Sequence, residues 1–566
     1  ELQIQIAKLI LGAKEAKRYR DRALRHYPRE KVQHAFDCAI RNFTIEDETT
    51  EDEFEGGSVV NWDLGQALDY DDLYTGAGLN LKAIAEVEKF LREPKNDKGE
   101  PVNLSNIFIE FNTPLGKVCF NGKNEDNTYQ GEDYLLIIDL AGNDTYKGAA
   151  SSSYKLEHPI STIIDWSGND TYVSDKTTPC SQGAGVMGYG FLIDNGGDDT
   201  FTAVNNAQGM CYFGVGILWD RGGNDTFKGH TSVQGSASFG VANLVKIAGN
   251  DSYYAYYTSQ GFGFTGGYGV LIDTDGDDKY VAEPYDLIHP GTGGHDNLRN
   301  YSFCQGVGWG QRGDIFGGHS MGGGTGILQD LGGNDHYECG VFAQATGYWY
   351  GTGILHDKSG NDTYEGSFFV QSGTAHMGLT MLLDEAGDDT YHVWHAISIA
   401  GAHDFSVSYL IDKGGNDHIS CWEWKDKDWK QSITPTGTKG NGGGVMVGSS
   451  ITNSFAMYIK IGGNDTYEIY SDISSTPDWK QSMIPGLVSP NVPKNSWRYD
   501  LFTIAMFIHL GGKANYIINE RDKAGPQGVM PGNNKTWEST RPNVNTKKVF
   551  GMAIDTAVGR VPEAER

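Results

Sequence analysis

Proline is scarce, 17 of 566 residues, which excludes a collagen-like chain or a Pro-rich linker. The seven cysteines (Cys38, Cys119, Cys180, Cys211, Cys304, Cys339, Cys421) are scattered and odd in number. They form no disulfide framework and no CxxC metal pair. Basic residues are outnumbered 45 to 73, leaving a net charge of −28. That balance opposes polyanions and excludes an ordinary nucleic-acid binder, and it favours solubility and an affinity for cations. No run approaches the roughly 18–20 apolar residues of a membrane helix, so no membrane span is expected. The chain opens on Glu1 with no Met and no secretory signal, which leaves a processed leader or a trimmed end as the two readings. Glycine is abundant at 77, and aromatics at 12% are ample for a core, so global disorder is excluded.

The length alone would suggest three or four domains, but an internal repeat decides otherwise. One phrase recurs: "IIDLAGNDTY" at 137–146, "IIDWSGNDTY" at 163–172, "LIDNGGDDTF" at 192–201, and so on to "YIKIGGNDTY" at 458–467, with "IHLGGKANYI" at 508–517 as a decayed last copy. The turn aspartates fall at 144, 170, 199, 225, 251, 278, 335, 362, 389, 417 and 465. Most intervals are 26–29 residues, and the two long ones, 57 and 48, read as one unit plus an insertion.

Before each turn apolar and small residues alternate, as in Gly214-Val215-Gly216-Ile217-Leu218, which is strand patterning. After it come a short strand and a Gln-Gly corner. A unit of about 27 residues has no room for a helix and predicts three short strands and three corners per coil of a parallel β-helix. A β-propeller is the rival, but its blades take about 40 residues. The expected fold is all-β: a right-handed parallel β-helix of roughly 11–13 coils with an N-terminal helical cap. Its leucine file (Leu192, Leu218, Leu244, Leu271) and aromatic file (Tyr146, Tyr172, Phe201, Phe227) stack like on like. A third file, Gln182, Gln208, Gln234, Gln260, Gln305, Gln344 and Gln371, is expected to hydrogen-bond along itself.

Three regions follow. Residues 1–100 are a helical cap with helices over 2–41 and 79–92 and an acidic linker over 46–55, the basic first helix serving either to cap or to dock a partner. Residues 101–470 are the repeats, with insertions at 281–322 and 420–449. Residues 471–566 are a terminal extended coil and tail.

Each unit carries two acidic rows: Asp139, Asp165, Asp194, Asp220, Asp330 and Asp357 belong to the first, and Asp144, Asp170, Asp199, Asp225, Asp335 and Asp362 to the second. Lys246 and Lys460 replace the first-row residue twice. Stacked like charges must be hydrogen-bonded, wet or neutralised. One reading is structural, an Asx turn in which Asp accepts backbone N–H bonds. The other is Ca²⁺, held by carboxylates and turn carbonyls of adjacent coils. The lysines suit either, as salt bridges or as ion surrogates.

The phrase Gly142-Asn143-Asp144-Thr145-Tyr146 and its copies resemble the Gly-x-Gly-Asn-Asp-x-Leu part of RTX calcium-binding repeats. That resemblance implies calcium at the Asp rows. It departs in its 27-residue period and in Asp-x where RTX repeats carry leading glycines. The longer pattern also resembles uncharacterised repeat proteins of the bacterial cell envelope, implying an extracellular or envelope location.

Two further constellations stand out. His376 and His403 fall in one column with Trp349, with Asp404 adjacent; two His and a carboxylate suit a transition metal or an acid–base pair, or they simply continue a polar stack. No GxSxG elbow accompanies Ser406. The phrase "DWKQSITP" (428–435) recurs as "DWKQSMIP" (478–485). With Trp422 and Trp424, Trp429 and Trp479 mark a subunit interface or a carbohydrate-binding face. The expected function is an extracytoplasmic structural or scaffolding protein, cation-stabilised, assembling with itself or with other envelope proteins through its long loops. The alternative is a carbohydrate-binding or polysaccharide-degrading protein with its catalytic group at His376, His403 and Asp404.

Overall fold

Each copy of the repeated phrase becomes a long strand, a tight turn and a short strand, and each strand finds its partner one repeat away. The structure, a computed structural model, describes residues 1–41, 51–131, 133–284, 300–313, 319–393, 397–421, 447–469, 486, 488, 496–518, 532–538 and 548–557. Its strands lie in long parallel sheets, consistent with a β-solenoid, and four helices precede them. The contacts gather into two compact units: Glu1–Asp251 with Gly266–Gly269 and Gln311–Met321, and Ser252–Thr265 with Val270–Gly310 and Gly322–Arg566.

In the first unit the long strands Tyr134–Asp139, Ile160–Asp165, Tyr189–Asp194, Val215–Asp220 and Val241–Lys246 pair in sequence order. Leu192, Leu218 and Leu244 stand in register, as do Asp194, Asp220 and Lys246. The short strands after the turn form a second sheet (Thr171–Val173, Thr200–Thr202, Thr226–Lys228) and two-residue strands a third (Gly185–Val186, Cys211–Tyr212, Ala237–Ser238). Three strands per coil were expected, and three are found. The rings of Tyr146, Tyr172, Phe201 and Phe227 stack at centroid separations of 4.7, 4.5 and 4.6 Å, with planes within 9° of parallel. That spacing is the inter-strand distance of a sheet, about 4.7–4.9 Å, so ring stacking and backbone pairing reinforce one register. The turns stack as closely. Gly223 has φ +111°, and a Cβ on it would lie 1.4 Å from the Gly197 carbonyl oxygen, so the position admits only glycine.

In the second unit the long strands Thr325–Asp330, Thr352–Asp357, Leu379–Asp384, Val407–Asp412, Phe455–Ile461, Thr503–Leu510 and Val549–Thr556 pair in turn. The parallel order thus runs past residue 470, and the decayed copy near 508 is a full member. Tyr280 pairs directly with Tyr337, so the 57-residue interval is a single step with an inserted loop.

Each end of the long-strand order is closed by an antiparallel neighbour: Phe108–Thr113 on Gly116–Asn121 in the first unit, and Lys535–Glu538 on Val549–Thr556 in the second. An antiparallel hairpin interrupts the template that a bare parallel edge would offer to another chain.

The helices α1 (Leu2–Ala23), α2 (Arg29–Arg41), α3 (Glu51–Ala67) and α4 (Tyr70–Arg92) cover the flank of the first unit's coils. α3 begins inside the stretch expected as an acidic linker. Basic groups of α1 and the turn after it are spent internally: buried Arg20 of α1 donates to the Leu156 carbonyl at 2.8 Å, Arg22 pairs with Asp72 at 2.9 Å, and Arg25, beyond the helix, pairs with Asp69 and Asp72. Tyr189 donates to the Leu73 carbonyl of α4 at 2.8 Å, and Arg221 pairs with Glu88 at 2.5 Å. Where helices lie on the coil, both faces of a strand are buried, as in Ile160–Asp165. Val241–Lys246 alternates between buried and half-buried.

The glutamine row corrects an expectation. The amides do not bond one another. Gln208 Nε2 donates to the carbonyls of Phe201 and Lys228 at 3.2 and 3.3 Å, and Gln344 Nε2 to those of Tyr337 and Glu365 at 3.1 and 3.0 Å. These residues have φ near +55°, so each turns the corner in the left-handed region and ties its own short strand to the next coil.

Candidate functional site

The two aspartate rows enter the core by different routes. A first-row Asp ends the long strand, and its Oδ1 accepts the N–H two residues on: Gly196 to Asp194 and Gly332 to Asp330, each at 2.9 Å. Its Oδ2 accepts a tyrosine hydroxyl from the preceding coil. Tyr172 reaches Asp194 at 2.7 Å, Tyr280 reaches Asp330 at 2.7 Å, Tyr337 reaches Asp357 at 2.7 Å and Tyr364 reaches Asp384 at 2.8 Å. Asp139 and Asp165 are held likewise by Tyr129 and Tyr146. The Asx-turn reading therefore describes half of each carboxylate, and the aromatic file supplies the other half.

A turn Asp uses Oδ1 to accept the backbone N–H of the preceding turn Asp. Asp170 donates to Asp199 and Asp199 to Asp225, each at 2.6 Å, and Asp335 donates to Asp362 at 2.7 Å. The other oxygen is left over. Oδ2 of Asp144, Asp170, Asp199, Asp335, Asp362 and Asp389 is buried with no hydrogen-bond partner. These residues are 1–2% exposed.

The rows converge as triads able to hold a metal ion: Asp144, Asp165 and Asp170; Asp170, Asp194 and Asp199; Asp199, Asp220 and Asp225; and, in the second unit, Asp278, Asp330 and Asp335. Within each triad the ligand oxygens lie within 4.8 Å of one another. Desolvation, and after it the neighbouring carboxylate of the other row, pushes Asp144 up to about 8 and Asp199 and Asp335 to about 9. Such groups take up protons near neutral pH unless a cation neutralises them.

The Lys replacements show how a cation sits here. Lys246 Nζ lies 3.2 Å from Asp220 Oδ1, 2.6 Å from Asp225 Oδ2 and 3.7 Å from Asp251 Oδ2. It also donates to the carbonyls of Gly223 and Ala248 at 3.0 and 2.6 Å. In the second unit Lys460 meets Asp412 at 2.7 Å, Asp465 at 3.9 Å, and Asp417 and the Gly414 carbonyl. One coil further His509 takes the same row, Nε2 2.7 Å from Asp465 and Nδ1 3.3 Å from Asp555. Burial alone would lower its pKa, but these two carboxylates overcome it and raise the imidazole to about 9. Desolvation also opposes charge on both lysines, and the surrounding aspartates more than reverse it.

The tyrosine partners were missed in the sequence, although a signal was present. Phe227 precedes Lys246 and Ile419 precedes Lys460; the hydroxyl is missing where there is no carboxylate to receive it. Phe201 breaks this pattern: a carboxylate, Asp220, follows it, and Asp220 Oδ2 has no hydrogen-bond partner.

The histidine cluster lies in the second unit on the third sheet. His403 pairs with Ala375 in register, not with His376. The single column expected for the two histidines is off by one, and Asp404 follows in register with His376. The rings meet edge-on, 5.6 Å between centroids at 86°. His376 Nδ1 is 2.9 Å from Asp404 Oδ2, and Arg498 is 2.5 Å from Asp404 Oδ1. The His376 hydrogen bond and then Arg498 hold Asp404 below the usual carboxylate range. Burial, and then His376, lowers His403 to about 4. Arg498 covers the Phe405 ring at 4.7 Å, and Trp497, 74% exposed, stacks on Phe405 at 5.7 Å.

Trp422, Trp424, Trp429 and Trp479 lie outside the described residues. No described helix is long and apolar enough to cross a membrane. Comparison with family models, with curated proteins and with solved structures finds no match to the chain.

Proposed function

We propose that the chain is an extracytoplasmic structural or scaffolding protein, a right-handed parallel β-helix whose interior carboxylates are neutralised by calcium. One observation carries this reading: the recurrent polar side chains (Asp, Tyr, Gln) are spent on holding coil to coil, and of the oxygens that remain over, the Gln Oε1 atoms and the turn-Asp Oδ2 atoms, the second form a buried file of carboxylate oxygens. The right hand follows from the strong preference of parallel crossovers. Calcium follows from the donor set, which is oxygen only and rich in carboxylates, as a hard cation requires, and from the RTX-like turn phrase. Extracellular or envelope location and assembly through the long loops, with copies of itself or with other envelope proteins, complete the proposal. The test is melting temperature against free calcium, paired with native mass. A steep rise with calcium and a defined oligomer support the scaffold. A calcium-indifferent monomer would overturn it.

The cluster of His376, His403, Asp404 and Arg498 beside exposed Trp497 favours a second reading, carbohydrate binding or polysaccharide degradation. A flat indole next to charged hydrogen-bonding groups suits a sugar ring. Here Asp404 would orient His376, leaving His376 Nε2 to exchange a proton with substrate. Glycan-array binding or polysaccharide depolymerisation abolished by Trp497→Ala and His376→Ala would support it. Absence of both in the parent chain would remove it.

A further inference from the structure

The lysines of the first acidic row do more than relieve charge. Lys246 Nζ is ringed by five oxygens from three aspartates and two turn carbonyls, at 2.6–3.7 Å. Register places Lys246 level with Asp220 and Asp194 on the same face. The oxygens around its ammonium therefore have counterparts in the coils above: Asp165, Asp170 and Asp199, with the carbonyls of Gly168 and Gly196. In those coils Asp170 Oδ2 and Asp199 Oδ2 are buried without a hydrogen-bond partner, whereas Asp225 Oδ2 meets the ammonium at 2.6 Å.

We infer that each lysine is a tethered cation occupying the position that a free hard divalent cation takes in the all-Asp coils. The aspartate file is thus a row of discrete sites, some filled by the chain itself and the rest by metal. This rests on the calcium reading above and adds to it the location of the metal sites and the coils that take none. Two independent features converge on it. The first is the shared position of ammonium and triad. The second is the paired loss of the tyrosine hydroxyl at Phe227 and Ile419, one coil before each lysine. In the Tyr coils a first-row carboxylate takes that hydroxyl on Oδ2, and an ammonium has no use for it; Asp220, after Phe201, does without. Site type therefore follows a two-residue code, Tyr with Asp for a metal coil and Phe or Ile with Lys for a self-filled coil, with Phe201 and Asp220 as the one mixed pair among the Asp and Lys coils.

The code can be rewritten in both directions in the full chain. Phe227→Tyr with Lys246→Asp copies Tyr172 and Asp194 and converts a self-filled coil into a metal coil. Tyr172→Phe with Asp194→Lys does the reverse. Each protein is stripped with chelator and dialysed against calcium chloride, and calcium per chain is measured by elemental analysis beside the parent. The first double variant is expected to gain about one calcium and to need calcium to fold. The second is expected to lose at least one and to tolerate chelator better. If the first fails to fold under both conditions, the inference stands or falls on the second. A parent that binds calcium with both variants unchanged in content overturns the inference and leaves the calcium reading intact. A parent that binds none overturns both.

Discussion

A tyrosine hydroxyl and one carboxylate oxygen are the smallest unit of cohesion between coils. Tyr337 is fully buried and donates to Asp357 Oδ2 at 2.7 Å. Tyr337→Phe keeps the ring in its stack and leaves a buried carboxylate oxygen unpaired, at a cost of about 1–3 kcal/mol. Urea denaturation should show that loss, and Tyr254→Phe, on a half-buried ring off the stack, should cost less. Two histidines give opposite pH signatures. His403, lowered to about 4 by burial, is neutral when folded and binds a proton more readily when unfolded. Its contribution is complete above pH 6.5 or so and is lost as pH falls towards about 4. His509, raised to about 9 by Asp465 and Asp555 against the effect of burial, contributes fully below about 6.5 and loses that contribution as pH rises through 9. Relative to the parent, the melting temperature should fall less steeply on the acid side in His403→Phe and less steeply on the alkaline side in His509→Gln. The rings of the aromatic file were legible in the sequence because each column is constant. Their hydroxyl chemistry was not, because stacking alone accounts for a Tyr or a Phe equally.

At the scale of elements, the long strands carry two kinds of outward face. Ile164, Tyr189 and Phe191 are buried, Tyr189 against α4 through the Leu73 carbonyl, whereas the outward residues of Val241–Lys246 are half-buried. Docking of α4 depends on a close approach: a Cβ on Gly76 would lie 2.3 Å from the Tyr189 hydroxyl and 3.0 Å from the Ala16 carbonyl. Gly76→Val should push α4 off the coils, costing roughly 1–3 kcal/mol. Hydrogen exchange should then accelerate over 70–92 and around Tyr189 while the aromatic stack stays protected. Alternation and turn spacing made the strands and the repeat readable. The flank was not readable, because an apolar residue on the outer face of a strand does not say what covers it. The histidine column came out one residue astray for a related reason. Between Ala375 and His403 the chain takes 28 residues instead of 27, a slip hidden when copies are aligned on the turn before the histidine, since the extra residue lies between that turn and His403.

For the whole molecule, the formal charge of −28 is not a surface quantity. Much of the acid lies in buried rows whose carboxyls are pushed up by desolvation, Asp389 to about 10 and Asp417 and Asp199 to about 9. A carboxyl whose folded pKa is raised holds more protons folded than unfolded, so its contribution is fullest near pH 4 and is lost as pH rises through its folded value. In chelator, stability should therefore fall steadily from about pH 4 towards pH 9–10, and saturating calcium should flatten that slope. Urea midpoints across this range, with and without calcium, check it. The most direct test of the interior is an experimental density map of calcium-loaded protein with anomalous signal. The account predicts peaks between Asp144, Asp165 and Asp170, between Asp170, Asp194 and Asp199, and between Asp278, Asp330 and Asp335, with none beside Lys246 or Lys460. Paired carboxyl groups sharing protons, with no peak at any triad, would contradict it.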